Sequence, residues 1–365
     1  MKRPVRVIYV EGGGYRDYFS ALYGLINGLH GLGLVREAAP PAAPDSSDSL
    51  ALWRWLSRSQ GKGGELEFPE DGFYSADWSE SAMQAAGRAV AERVSAGKGA
   101  DLVLALGTRA GLELAVAGLP VPVMSLSTVD PEGAGIAPRQ GAEGPANLHV
   151  FVRRDRIPAQ LRFFSSVFGF RRLGVPLEAS ELGRLSMGWP TVERTAAELG
   201  FEAVPCLARM ERPDREAALR ALVGCLERLS LETDAVYLTV NNGMLKSRMG
   251  EILAPVIRKG LPSFSQEGSE DVRAGVLLSA GQDDFADIGL FEAKALSGII
   301  GGARPSAVPG LYRAHASVAL NLTTALRIGW NPPFAILVDA DRVYRGMGGP
   351  ENGRIPGPAP LAALR

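Results

Sequence analysis

Few of the reactive side chains in this sequence stand at catalytic spacings. The histidines, His30, His149 and His315, form no H-E-x-x-H or Cys/His cluster, and no G-x-S-x-G nucleophile elbow occurs. His30 ends a helical stretch and His315 falls in a surface-like stretch, so neither points to chemistry. No ligand cluster for a metal is present, and no cofactor is expected. The turn Glu11-Gly12-Gly13-Gly14 suggests a dinucleotide loop, but it lacks G-x-G-x-x-G spacing, and its glutamate would repel a pyrophosphate. Close approach of a solute to the backbone explains these glycines equally well. What the sequence does contain is binding chemistry. Thr108, Ser127 and Thr128 follow strand ends and precede turns or helix starts, where hydroxyls and backbone N–H groups favour an anion. Helix capping is the competing reading for each. Tyr15 and Tyr18 could wall an aromatic or cationic group, or simply be half-buried.

These residues need a frame that brings them together, and the periodicity supplies one. Short apolar runs ending in Gly, Ser, Thr or Asn alternate with amphipathic stretches, the pattern of βα units around a parallel sheet. Val5–Val10 predicts a first strand, followed by the glycine turn and a helix through Leu29; a second unit starts near Leu66. Ser79-Glu80 opens a helix, residues 101–106 form a buried strand, and residues 121–126 form the next. A Gly/Pro-containing break from Ser127 to Asn147 is expected to carry the chain to a second domain. There the rhythm restarts, with strands at 172–177, 201–207, 235–240 and 262–265 separated by helices, and Gly281-Gln282-Asp283 reads as a return crossing. Two doubly wound α/β lobes follow from this, with ligands held outside the carboxyl ends of the strands. The segments expected at that edge include Gly13 and Tyr15, Gly107 and Thr108, Ser127 and Thr128, Glu178 to Ser180, Asn241 and Asn242, Gln266 and Glu267, and Asp283.

Composition agrees with this picture and removes some alternatives. The 365 residues exceed one ordinary domain, and 46% hydrophobic with 22% charged residues suits a packed globular chain. With 39 basic against 40 acidic residues there is no field to gather nucleic acid. No run approaches the roughly 18 apolar residues of a membrane helix. The only cysteines, Cys206 and Cys225, lack CxxC spacing and read as two buried thiols. Met1-Lys2-Arg3 is followed by a strand and not by an apolar leader core, so the chain is either cytosolic or has lost a leader.

Several segments, in order, resemble the substrate-binding proteins of ABC transporters with a type I periplasmic-binding fold, relatives of which bind tryptophan or other aromatic amino acids. Residues 101–108 (DLVLALGT) are similar to that family's strand and ligand loop, and residues 120–124 with 129–135 (VDPEGAG) to the segment that follows. Residues 234–242, 261–264, 274–289 and 320–329 (LNLTTALRIG) continue the match. His149 stands where a threonine is usual and Asn241 where an aspartate-like residue is usual, which puts the ligand in question. The resemblance implies two lobes, residues 1–150 with 284–345 and residues 151–283, hinged around a cleft, with a tail at 346–365. It implies an extracytoplasmic, monomeric protein without enzymatic activity, whose partners are a small-molecule solute and a membrane permease. It also directs Asp283 toward a ligand ammonium, with Glu267 and Glu178 as alternatives. A two-domain Rossmann-like enzyme acting on a nucleotide-linked substrate, or a ligand sensor of a signalling system, are the competing functions.

Overall fold

The computed structural model describes residues 3–42, 46–60, 64–97, 99–138, 143–281, 285–313 and 317–346. The chain divides into two compact units, one of residues 1–154 with 284–313 and the other of residues 155–283 with 314–365.

The first unit is built on a parallel sheet. Its strands are β1 (Val5–Glu11), β2 (Leu66–Glu67), β3 (Phe73–Ser75), β4 (Leu102–Leu106), β5 (Val123–Leu126) and β6 (Leu148–Val150). Its helices are α1 (Arg16–Gly31), α2 (Ser49–Ser59), α3 (Glu80–Ser95) and α4 (Gly107–Val116), with α11 (Phe285–Ile300) returning from the other unit. The order β2-β1-β4-β5-β6, with β3 also on β1, reverses direction between β1 and β4. β4 is buried on both faces, as its unbroken apolar run Leu-Val-Leu-Ala-Leu requires. Alternate residues of β1 feed two cores: Tyr9 packs with Trp53, Leu25 and Leu56, whereas Ile8 and Val10 pack with Val90, Val103 and Ala110. Helices α1 and α11 touch through glycines. A Cβ on Gly289 would overlap the backbone of Gly24, and one on Gly28 would lie 2.8 Å from the carbonyl carbon of Gly289.

The second unit has strands β7 (Arg172–Glu178), β8 (Glu202–Ala208), β9 (Ala235–Leu238), β10 (Ser263–Ser265), β11 (Leu278–Ala280), β12 (Val318–Asn321) and β13 (Arg342–Tyr344). They lie in the order β13-β12-β11-β10-β9-β7-β8. Neighbours are parallel except β11 and β12. Helices α5 (Arg156–Phe168), α6 (Glu181–Ser186), α7 (Trp189–Leu199), α8 (Arg215–Glu232), α9 (Met249–Arg258), α10 (Ser269–Ala274), α12 (Leu322–Arg327) and α13 (Phe334–Asp339) connect and follow them. Its direction reverses between β7 and β9. The core gathers Leu173, Val175, Leu222, Leu226, Val236, Leu253 and Phe264, all fully buried.

Three expectations need correction. Residues 314–345 do not return with α11: the chain crosses a third time at 313/314, because β12 completes the second sheet by pairing Leu320 with Leu278 and Ala319 with Ser279. The break from Ser127 to Asn147 is not a crossing, since β6 follows it and pairs with β5 in the first sheet. Cys206 and Cys225 are not thiols but a disulfide joining β8 to α8. Among the described residues no helix is long and apolar enough to cross a membrane.

Candidate functional site

In a doubly wound sheet the loops diverge where strand order reverses, leaving a crevice at the carboxyl edge. In the first unit that point lies between β1 and β4, at Glu11–Gly14 and Gly107–Arg109. Gly107, at φ +82°, starts α4 in the left-handed region, and a Cβ there would collide with the Tyr18 hydroxyl. Gly13 carries the Trp78 indole directly on its backbone, where a Cβ would lie 2.5 Å from Nε1. The Arg109 side chain covers Gly12, with Cδ 3.1 Å from the position of a Cβ. The glycine turn is therefore the floor of an aromatic group. Tyr15 meets Tyr18 edge-on at 5.5 Å and Trp78 at 6.3 Å, and the Tyr18 and Trp78 rings lie 6.4 Å apart at 28°.

Trp78 reaches this place through a strained return. Its N–H donates to the Gly12 carbonyl at 2.7 Å, and both Asp77 (φ 46°) and Trp78 (φ 65°) occupy the left-handed region. That region costs non-glycine residues about 1–2 kcal/mol each. Ser127, at φ 54°, does the same at the end of β5, beside buried Thr128, whose hydroxyl lies 3.4 Å from Ser125 Oγ. Three strained residues along one sheet edge make that edge the place to look for function.

Glu11 ends β1 beneath the glycine turn. Its carboxylate accepts from the Tyr9 hydroxyl at 2.8 Å and from Ser75 Oγ at 3.1 Å. Burial nevertheless pushes its pKa up to about 7, and those two hydrogen bonds only partly offset the rise. The buried guanidinium of Arg109 and the N-terminus of the ten-residue α4 put positive potential at the same strand ends. Buried Thr108 follows Gly107 in the first turn of α4.

In the second unit the reversal falls between the ends of β7 and β9, at Glu178–Ser180 and Asn241–Asn242. Here the expected ligand residues hold the loops themselves. Glu178 accepts from the N–H groups of Met210 and Glu211 at 2.6 and 2.7 Å. Ser180 caps α6 by accepting from Gly183 N–H at 3.0 Å. Asn241 donates to the Thr239 carbonyl and accepts from Gly243 N–H, while Asn242 donates to the Arg212 carbonyl. Gln266, fully buried, accepts from Val240 N–H and donates to the Met187 carbonyl, each at 3.0 Å. Its own carbonyl accepts from Gln160 at 3.2 Å and from Arg156. Glu267 lies next to it, half-buried, with its N–H donating to Ser265 Oγ at 3.0 Å. Asp283 lies outside the described residues.

No protein-family model matches the sequence, and no curated protein matches it. Solved structures do. A conserved domain protein from Vibrio cholerae superposes with a TM-score of 0.69 at 18% identity, over 93% of this chain and 100% of the other. An ABC domain from Streptococcus pneumoniae in complex with L-Trp gives 0.66 at 16% identity, again over 93% and 100%. An ABC transporter solute binding protein from Agrobacterium vitis with bound allitol gives 0.55 at 12%, over 89% and 98%. The fold is that of the type I periplasmic-binding proteins. That fold also serves a LacI family transcriptional regulator from Bifidobacterium animalis, at a TM-score of 0.54 and 13% identity over 87% and 97%. None of these four is described as an enzyme.

Within this periplasmic-binding fold, two features escape sequence reading. Trp78 sits in Ala-Asp-Trp-Ser-Glu, which reads only as the approach to the α3 cap at Ser79. Glu292 lies inside α11, fully buried, with no hydrogen bond to either oxygen among the described residues; burial pushes its pKa up to about 8, and the Arg153 charge offsets part of that. His149, the unusual residue of β6, is a core side chain at 1% exposure, and burial lowers its pKa. No group of three or more potential metal ligands occurs among the described residues.

Proposed function

We propose that this chain is the extracytoplasmic, monomeric solute-binding component of an ABC uptake transporter, and that it takes an aromatic or other flat apolar amino acid. The reading rests on one observation, the Tyr15–Tyr18–Trp78 group seated on a glycine floor at the strand reversal of the first sheet. Tyr15 and Trp78, both partly exposed and both in contact with buried Tyr18, offer aromatic surface to a planar side chain at low cost in conformational entropy. Arg109 and the start of α4 supply attraction for a carboxylate at the same edge. The glycines let the Trp78 indole and the Arg109 side chain lie directly on the backbone of the turn. In the second unit the side chains at the ends of β7, β9 and β10 are committed to fixing loop shape, which leaves backbone groups and Glu267 as its candidates for contact with a solute.

In this reading the units close on the solute, and a permease recognises the closed form. Solutes bound by proteins of this fold range from L-Trp to allitol, so the fold does not select between amino acid and polyol. In this proposal the rings, together with Arg109 for the carboxylate, favour an aromatic amino acid over a polyol.

The test is a thermal-shift screen over aromatic amino acids, aliphatic amino acids and polyols, followed by calorimetry on the hits. An aromatic amino acid is expected to stabilise the chain in a concentration-dependent way. Trp78→Ala is expected to weaken that binding at least tenfold while leaving the fold intact by circular dichroism. Binding of a polyol with no response to any aromatic amino acid sinks the proposal. So does a Trp78→Ala variant that binds as tightly as the parent.

A further inference from the structure

We infer that the Cys206–Cys225 disulfide is an oxidatively installed staple that holds the open edge of the second sheet, and that the chain matures in an oxidising compartment. The inference is independent of what solute the protein binds.

β8 ends the second sheet and, among the described residues, pairs only with β7. An unprotected edge strand readily peels away or recruits another chain. β8 is poorly anchored by its own side chains: among its seven residues only Cys206 is buried, and Leu207 is 49% exposed. The ion pair at its start, Arg172 with Glu202 at 3.0 Å, is solvent-exposed and contributes little. At its far end the Glu178 carboxylate holds Met210 and Glu211, just beyond the strand. The middle depends on Cys206.

Its partner is on a well-seated element. α8 is capped by Asp214, which accepts from Ala217 N–H at 3.0 Å, and it buries Ala218, Leu219, Leu222, Leu226 and Leu229 alongside Cys225. The two Cα atoms are 5.6 Å apart, a separation that a disulfide spans without moving the backbone. The bond thus ties an edge strand with a single buried side chain to one of the best anchored helices of the unit. Closing a loop over a sequence separation of 19 restricts the unfolded chain, which favours the folded state over the unfolded one by about a hundredfold. Pro205, next to Cys206, protects the same edge in another way, since it presents no N–H to an incoming strand.

The bond also carries information about compartment. Both sulfurs belong to residues only 3% exposed and are the only cysteines in the chain, which does not suit a catalytic or exchangeable pair. In reducing cytosol such a pair would stay as two thiols, whereas structural disulfides persist in oxidising compartments. Formation takes two electrons and two protons from the thiols. A disulfide oxidant accepts them while the Sγ–Sγ bond forms: a thiol oxidoreductase leaves as its dithiol, and oxidised glutathione leaves as two glutathione thiols.

The experiment compares the full chain recovered from an oxidising compartment before and after treatment with TCEP. Denaturing alkylation with iodoacetamide, read by intact mass, should add no group before reduction and two after it. Hydrogen exchange of residues 202–208 should then accelerate by at least tenfold on reduction, with strands β1 and β4 of the first unit unchanged. Cys206→Ala/Cys225→Ala should reproduce the reduced pattern, and if that variant fails to fold, reduced wild type supplies the same readout. Two alkylated thiols without reductant overturn the inference. Equal exchange of β8 in the oxidised and reduced chains overturns it as well.

Discussion

Glu11 and Glu292 are carboxyl groups that the fold places where charge is costly, one under the glycine turn and the other inside α11. Their folded pKa values, about 7 and about 8, stand above the ordinary 4.5. As pH rises from 4.5 the unfolded chain releases these protons while the folded chain keeps them, so the folded state loses ground. The loss is roughly 1.4 kcal/mol per pH unit for each group, and it ends once pH passes that group's folded value. His149 acts in the opposite sense on the acid side, because its lowered pKa makes the unfolded chain bind a proton first as pH falls below 6.5. Melting temperature is therefore expected to fall between pH 6.5 and pH 8, and Glu292→Gln should flatten that slope because the amide cannot ionise. Differential scanning fluorimetry across this range checks it; an unchanged slope in Glu292→Gln would mean that the carboxyl is not the group responsible.

At the level of elements, the contact of α1 with α11 depends on the absence of side chains at Gly24, Gly28 and Gly289. Gly289→Ala would drive a methyl into the backbone of Gly24, and rigid backbone cannot yield as a flexible side chain does. Overpacking typically costs about 1–3 kcal/mol, and a backbone clash belongs at the upper end. Gly31→Ala, near the end of the same α1 with nothing within 4 Å, is the control and should be neutral or slightly stabilising. Urea unfolding of both variants measures the difference, and equal midpoints would contradict the packing account. Elements of this kind were readable from the sequence because β4 is an unbroken apolar run and α3 begins at a Ser-Glu cap. The candidate site was readable only in part. Tyr15, Tyr18 and Gly107 follow strand ends, so periodicity finds them, whereas Trp78 arrives through two left-handed residues that no propensity favours. In the second unit Glu178, Ser180, Asn241 and Gln266 have the types that suit a polar ligand. The same types close loops and cap helices, and that local competition decides their use here.

For the whole molecule, the third crossing determines what each unit needs in order to exist. Residues 155–283 contain six helices and five strands of the second unit but stop at β11, whose outer side is covered by β12. Without β12, the backbone of Leu278–Ala280 loses its antiparallel partner. Fully buried Asn321 donates to the Val272 carbonyl at 2.8 Å, and buried Thr324 donates to the Gly275 carbonyl at 2.6 Å. Removing those donors strips α10 and its exit turn of partners, and each buried carbonyl left unpaired costs about 1–3 kcal/mol. Marginal domain stability does not tolerate several such losses. Residues 155–283 expressed alone should therefore lack a cooperative urea transition. Gly281 N–H donates to the Ser317 carbonyl at 3.1 Å, so the two pieces of the unit meet there, and a short Gly/Ser linker from 281 to 317 can replace the excursion through α11. The linked chain, 155–281 joined to 317–346, should recover a cooperative transition and near-ultraviolet circular dichroism. If residues 155–283 unfold cooperatively by themselves, β12 is an accessory to the second sheet, and the unit ends where the sequence first suggested.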